Sequence, residues 1–216
     1  LTAQWPQILD GRQYHLRSGD IPEWQEVADR TPDGKRLDLR FNTQKNNGEA
    51  TLFLRQDGVK LDWRVELNGR KLGNLFAMEA PLVHTVAVAA DALKDGENIL
   101  SIIPPSGNDD IEVGDVQLDP RPVKDAVAQA TLEIQVTDSE TGKGLPCRIT
   151  IVDSQGALAP LHAGSEQRLA VRPGVVYTGD GRARMGVRPG QYTLYATRGF
   201  EFGLGQHTVS IGSGQT

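Results

Sequence analysis

The stretch WRVELNGRKLGNL (63–75) decides how this chain is read. Trp63, Val65 and Leu67 alternate with Arg64 and Glu66, which is the period-2 pattern of a half-buried strand. Asn68-Gly69 follows, a dipeptide that accepts the positive φ of a two-residue hairpin turn, and a second strand returns through Leu72.

The same pattern repeats outward. Leu37, Leu39 and Phe41 alternate with polar neighbours, as do Leu52 and Leu54, Val86 and Val88, and Leu100 and Ile102. Asp57-Gly58 and Asp95-Gly96 stand between such runs as further tight-turn signals. No 11-residue window carries apolar residues at helical spacing, apart from a short suggestion around 91–94. Turn signals roughly 8 to 12 residues apart predict a sandwich or jelly roll rather than βαβ units. At LDPRPVKDAVAQA (118–130) Pro120 and Pro122 interrupt pairing, because proline has no N–H for a ladder and restricts its predecessor. A boundary is therefore expected near residue 126. Alternation restarts in TLEIQVTD (131–138), CRITIVD (147–153), ARMGVRPG (183–190), GQYTLYAT (190–197) and HTVSIG (207–212). The expected architecture is all-β, with two β-sandwich domains at 35–125 and 126–216 and an N-terminal arm, 1–34, packed on the first. The segment 153–177 reads as a long excursion, and GSGQT (212–216) as the start of a linker.

A chain of 216 residues with 38% hydrophobic and 24% charged content can bury real cores. No apolar run approaches the roughly 20 residues needed to span a bilayer. A net charge of -5 argues against a nucleic-acid or anionic-membrane surface. Cys147 is the single cysteine, so it forms no intrachain disulfide and reads as a buried thiol. The chain starts at Leu1 without an initiator Met, as expected of a trimmed, secreted or periplasmic product.

Catalytic patterns are absent. His15, His84, His162 and His207 are scattered with no H-x-H pair, and no GxSxG elbow occurs. No catalytic residue and no metal ligand set is assigned, and no cofactor is expected. The acidic pair Asp109-Asp110 and the loop Asp138-Ser139-Glu140 offer oxygen ligands for Ca²⁺, with solvated turns as the plainer reading. Among Trp5, Trp24 and Trp63, Trp63 belongs to the core by its alternation. Trp24, in the polar segment DIPEWQE (20–26), is the candidate for stacking on a carbohydrate, or else a clamp on the sandwich. Arg198, Gly199, Phe200, Glu201 and Phe202 set a cation, two aromatics and a carboxylate side by side after the GQYTLYAT strand. They read either as a strand end with an Arg198–Glu201 surface pair or as an interdomain docking seam.

Three resemblances add to this. WRVELNGRKLGNL (63–75), LKDGENILSI (93–102) and DDIEVGDVQLD (109–119) are similar to the hairpin, GEN and closing-strand motifs of galactose-binding-like jelly rolls. VTDSETGKGLPCRITIVDSQG (136–156) and VRPGQYTLYATRG (187–199) resemble transthyretin-like, carboxypeptidase-regulatory-like sandwiches. RGFEF (198–202) after a PG.Y strand looks like the region just upstream of the catalytic domain in carbaryl-hydrolase-type metallohydrolases of the polymerase-and-histidinol-phosphatase (PHP) superfamily. That family's metal-binding domain opens with GD.H.H, which nothing here matches. The resemblance implies a non-catalytic accessory region that positions or shields a C-terminal catalytic domain of the same polypeptide. Two alternatives stand beside it: a carbohydrate-binding region of a glycoside hydrolase or lyase, and a cell-surface adhesive sandwich.

Overall fold

The computed structural model describes residues 6–25, 28–164 and 169–216. It divides into two compact units, 1–123 and 124–216, two residues ahead of the expected boundary. Each unit is a β-sandwich.

The first unit contains β1 (Gln7–Arg17), β2 (Leu37–Thr43), β3 (Ala50–Asp57), β4 (Arg64–Leu67), β5 (Arg70–Asn74), β6 (Leu82–Val88), β7 (Gly96–Ile103) and β8 (Asp110–Asp119). One sheet has the order β1-β8-β3-β6 and the other β2-β7-β4-β5. From β2 onward the chain crosses between the sheets repeatedly, which is the path of a jelly roll. The inward positions of the alternating runs, Leu37, Leu39, Phe41, Leu52, Leu54, Val65, Leu67, Leu100 and Ile102, form one core with Trp63, which is fully buried.

Two readings change here. Residues 7–17 are an integral antiparallel strand on the edge of the first sheet, paired along β8 from Gln7–Leu118 to Arg17–Asp110, and not an arm laid over the sandwich. Their alternation is hidden because β1 is irregular between Ile8 and Gln13. Asp57-Gly58 joins no hairpin, since β3 and β4 lie in different sheets. Gly58 instead takes a φ of 71° where the chain leaves one sheet for the other.

Asn68-Gly69 does make the β4–β5 hairpin, with φ of 52° and 78° at the two residues. Asn68 is locked there: Ile99 N–H donates to its Oδ1 at 3.0 Å, and its Nδ2 donates to the side-chain oxygen of buried Asn98 at 2.8 Å. Asn98 Nδ2 in turn donates to the carbonyls of Lys94 and Gly96. The NG and GEN motifs are thus two halves of one polar lock between adjacent strands.

The second unit begins within helix α1 (Val123–Val127), which follows Pro122 in the expected linker, and contains β9 (Ala130–Gln135), β10 (Cys147–Asp153), β11 (Leu169–Arg172), β12 (Val175–Thr178), β13 (Arg182–Val187), β14 (Gly190–Thr197) and β15 (Gly205–Ile211). A five-stranded sheet, β11-β12-β10-β14-β15, and a two-stranded one, β13-β9, share a core around Ile149, Ile151, Val176, Met185, Tyr192 and Leu194. The 153–177 excursion is built into this unit. Ala157, Leu158 and Ala159 are buried, His162 bridges Gly186, and the chain returns as the β11–β12 hairpin. The linker-like tail is pinned as well: Gly214 N–H donates to Gln129 O and Thr131 N–H to Gln215 O.

Tyr192 shows how side-chain chemistry fixes a strand entry. Its hydroxyl donates to the Arg188 carbonyl at 2.7 Å, closing the Pro189-Gly190 turn, while its ring fills the core. Burial pushes its phenol up to about 12. Tyr192→Phe is expected to cost about 1 kcal/mol by removing that hydrogen bond, read as a lower denaturation midpoint at unchanged m-value. Because the folded state holds this proton more tightly than the unfolded one, the contribution is complete below pH about 10 and is lost as pH rises towards 12. An ultraviolet titration should show Tyr14 and Tyr192 both ionising later than an ordinary tyrosine, and Tyr192→Phe should remove the component near 12.

Candidate functional site

The sharpest polar chemistry in the described residues lies where β1 and β8 meet residues 18–36. Alternation along β1 sets His15 and Arg17 on one face, and the ladder places Arg17 opposite Asp110 and His15 opposite Glu112. Asp110 Oδ1 accepts from His15 Nε2 and from Arg17 Nε, each at 2.7 Å, and Oδ2 accepts from Glu23 N–H at 2.7 Å. Asp110 N–H donates back to Glu23 Oε2 at 3.1 Å, and Lys60 Nζ donates to Glu23 Oε1 at 2.7 Å. Asp109 faces the other way: its Oδ2 accepts from Trp63 Nε1 at 2.8 Å, Leu61 N–H at 3.0 Å and Lys60 N–H at 3.3 Å. Its own N–H donates to Ser18 Oγ.

Both aspartates are fully buried. This corrects their reading as solvated turns, and protein donors fill three of their four carboxylate oxygens. The two titrate in opposite senses. Burial raises Asp110, but the Glu23 amide, Arg17 and His15 outweigh it and hold the carboxyl below its ordinary value. Burial dominates at Asp109, with the Glu23 carboxylate adding to it, and pushes that carboxyl up.

A cleft of about 270 Å³ opens beside this cluster, walled by His15, Trp24, Asp110, Ile111 and Gly58 and rimmed by Arg30, Asp57, Glu79 and Glu112. Trp24 is half-buried, with the Lys60 ammonium 4.4 Å from its ring centroid. A Cβ on Gly58 would stand 3.0 Å from its Cη2. The ring therefore packs its own stretch of chain against Lys60 and Gly58 of the sandwich while contributing a wall to the cleft. Asp57 is raised by burial, an effect that the Gly58 amide partly offsets and the Glu112 charge reinforces.

No protein-family model matches the chain, and no curated protein matches it. Among solved structures it is similar to the β-glucuronidase of Ruminococcus gnavus in complex with uronic isofagomine, at 12% identity and a TM-score of 0.32, over 95% of this chain and 44% of that one. It is similar also to the Bifidobacterium dentium β-glucuronidase complexed with coumarin-3-O-glucuronide, at 14% identity and a TM-score of 0.30, over 97% of this chain and 49% of that one. The chain thus spans less than half the length of these enzymes.

In the second unit, residues 198–204 form the tip between β14 and β15. Phe200 is fully exposed and Leu204 is 62% exposed, while Phe202 is 37% exposed with the Arg198 guanidinium 5.2 Å from its ring. Arg198 thus meets Phe202 where an Arg198–Glu201 pair was the plainer expectation. Gly199 takes a φ of 88° that turns the chain into the tip. Cys147 is buried, and burial pushes its thiol up, as suits an inert core residue. Asp138 accepts from the amides of Glu140 and Thr141 and from the Thr141 hydroxyl, capping its own turn. Among the described residues no three or more His, Cys, Asp or Glu side chains gather as a metal site. No helix there is long and apolar enough to cross a membrane. Trp5 lies outside the described residues.

Sequence reasoning missed His15, Arg17 and Glu23. The available signal was YHLR (14–17), whose alternation puts His15 and Arg17 together, but nothing local told which acids stood opposite. Asp110→Asn should cost about 3–5 kcal/mol by leaving Arg17 and His15 buried against a neutral amide. Asp109→Asn should cost less, since an amide keeps the acceptor oxygen for Trp63. In wild type, Asp110's contribution is present above its unfolded value near 3.8 and is lost as pH falls below it. Asp109 acts oppositely, its contribution declining as pH rises from 3.8 through its raised value. Melting temperatures of both variants across acidic pH check the two slopes.

Proposed function

We propose that this chain is a non-catalytic accessory region of a larger secreted bacterial metal-dependent hydrolase of the carbaryl-hydrolase type. In this reading its second sandwich docks, through the 198–204 tip, on a C-terminal catalytic domain of the same polypeptide. The observation that carries the reading is Phe200, a large apolar side chain held wholly in solvent on the turn that also carries Arg198, Phe202 and Leu204. Aromatic and Arg side chains of this kind form interface anchors. The resemblance of RGFEF (198–202) to the segment preceding PHP catalytic domains supports it from the sequence side.

Geometry constrains the partner. β15 runs seven residues, about 23 Å at ~3.3 Å each, from the tip to the end where the tail is pinned beside β9. A following domain must therefore reach back along the sheet, which a body of about 250 residues, with a radius of gyration near 18 Å, is wide enough to do. Trp24 beside the acidic cleft supports a second reading, a carbohydrate-binding region. Saturable signals on a glycan array that Trp24→Ala abolishes would favour it.

The expected outcomes for the accessory reading are specific. The coding sequence beyond Thr216 carries a GD.H.H motif, and the chain alone hydrolyses no ester or phosphate with Zn²⁺, Mn²⁺ or Fe²⁺ added. Phe200→Ser changes the melting of this chain by no more than about 0.5 kcal/mol, yet loosens the catalytic domain in the longer polypeptide, read as faster proteolysis between the two. A downstream sequence without that motif, or metal-dependent turnover by this chain, overturns the proposal.

A further inference from the structure

One oxygen of the buried cluster is left over. The Asp109 side chain is fully buried, and its Oδ2 takes all three donors, from Trp63, Leu61 and Lys60. Its Oδ1 is buried with no hydrogen-bond partner. An ionised oxygen kept from water without a donor carries a heavy desolvation cost, so this one calls for an explanation.

The group that meets Asp109 there is another acid. The Glu23 carboxylate is in hydrogen-bond contact with the Asp109 side chain, and since Oδ2 is already taken up, Oδ1 is the oxygen it faces. Two carboxylates offer each other only lone pairs, so their contact holds only when one of them carries a hydrogen. Surroundings decide which one keeps it. Glu23 accepts from Lys60 Nζ at 2.7 Å and from the Asp110 N–H at 3.1 Å, and its side chain is 17% exposed. An ammonium and nearby water both favour the ionised form. Asp109 receives only neutral donors and lies out of water, which favours the neutral acid. The other charges nearby keep this order: Glu79 stands 4.0 Å from the same ammonium, and Asp110 is engaged by Arg17 and His15 at 2.7 Å each.

We propose that Asp109 carries a proton on Oδ1 and donates it to the Glu23 carboxylate, forming a pH-sensitive clasp that fastens residues 18–25 to the first sandwich. The folded state holds this proton more tightly than the unfolded chain does. The clasp is therefore fully closed below the ordinary carboxylate range and opens as pH rises through the raised value of Asp109. Once the proton is lost, two carboxylates face each other at close range and Glu23 is driven away. Trp24 follows Glu23 in the chain, has Lys60 over its ring and walls the cleft, so the change reaches the indole.

The test is a pH titration of the full chain, labelled with carbon-13 and nitrogen-15, from acidic to alkaline pH. Nuclear magnetic resonance follows the side-chain carboxyl carbons and the Trp24 indole N–H. Expected are an Asp109 carboxyl that titrates above the ordinary range, a Glu23 carboxyl that moves in the same step, and an indole signal that shifts with them. Glu23→Gln offers Oδ1 an amide donor in place of the proton, and should bring the Asp109 titration down from its wild-type position. Asp109→Asn places a permanent donor on the other side of the contact. In that variant the step should vanish and the indole should stay fixed across the range, which serves if Glu23→Gln folds poorly. Three results overturn the proposal. The first is an Asp109 that titrates at or below 3.8, leaving the bare oxygen to water or an ion. The second is an Asp109 step that Glu23→Gln leaves in place, making burial alone its cause. The third is a Trp24 signal that ignores the step.

Discussion

The first sandwich depends on two buried carboxylates that follow each other in the chain. Asp109 and Asp110 open β8, and since successive side chains along a strand leave on opposite sides, they reach in different directions from one point. Asp110 binds the end of β1 through Arg17 and His15 and the 18–36 segment through the Glu23 amide. Asp109 binds the crossing to β4 through Lys60, Leu61 and Trp63. Three stretches distant in sequence are thereby joined on one dipeptide, and the acceptors are worth most where water is excluded. The arrangement is costly if incomplete, because a buried charge without partners is penalised far more than a paired one is rewarded. That asymmetry makes the pair a specifier of topology: a β1 out of register would leave Asp110 without its donors.

Away from this cluster the same sandwich is held by neutral chemistry. The Asn68–Asn98 lock uses two amides, each both donor and acceptor, to satisfy backbone groups that a hairpin turn and a chain reversal would otherwise leave open. Asn68 also accepts a left-handed φ of 52°, which few other side chains tolerate. A charged lock and a neutral lock thus divide the work. The neutral one serves turns that sequence neighbours can build, and the charged one serves contacts between remote segments.

The second sandwich anchors its turns with single residues, Tyr192 on the Arg188 carbonyl and Asp138 on its own loop. Its departure from ordinary surface chemistry is the tip at 198–204. A fully exposed phenylalanine there gains nothing by burial within the folded chain, and the docking role proposed above rests on that exposure.

The sequence alone determined what depends on neighbours along the chain. Period-2 alternation and the NG and GEN motifs placed β2, β4, β7, β10 and β14, and assigned Trp63 and Cys147 to the cores, because strand pattern and turn geometry are local properties. Only the tertiary structure decided β1, the β11–β12 hairpin, the pinned tail and the fate of Asp109 and Asp110. Those outcomes turn on what stands opposite: β1 gains its place by pairing with β8, a strand about a hundred residues away. An aspartate is a solvated turn or a buried staple according to whether remote arginine, histidine and tryptophan donors converge on it. Alternation along a strand cannot report that convergence, since it records which face a side chain takes and not who meets it there.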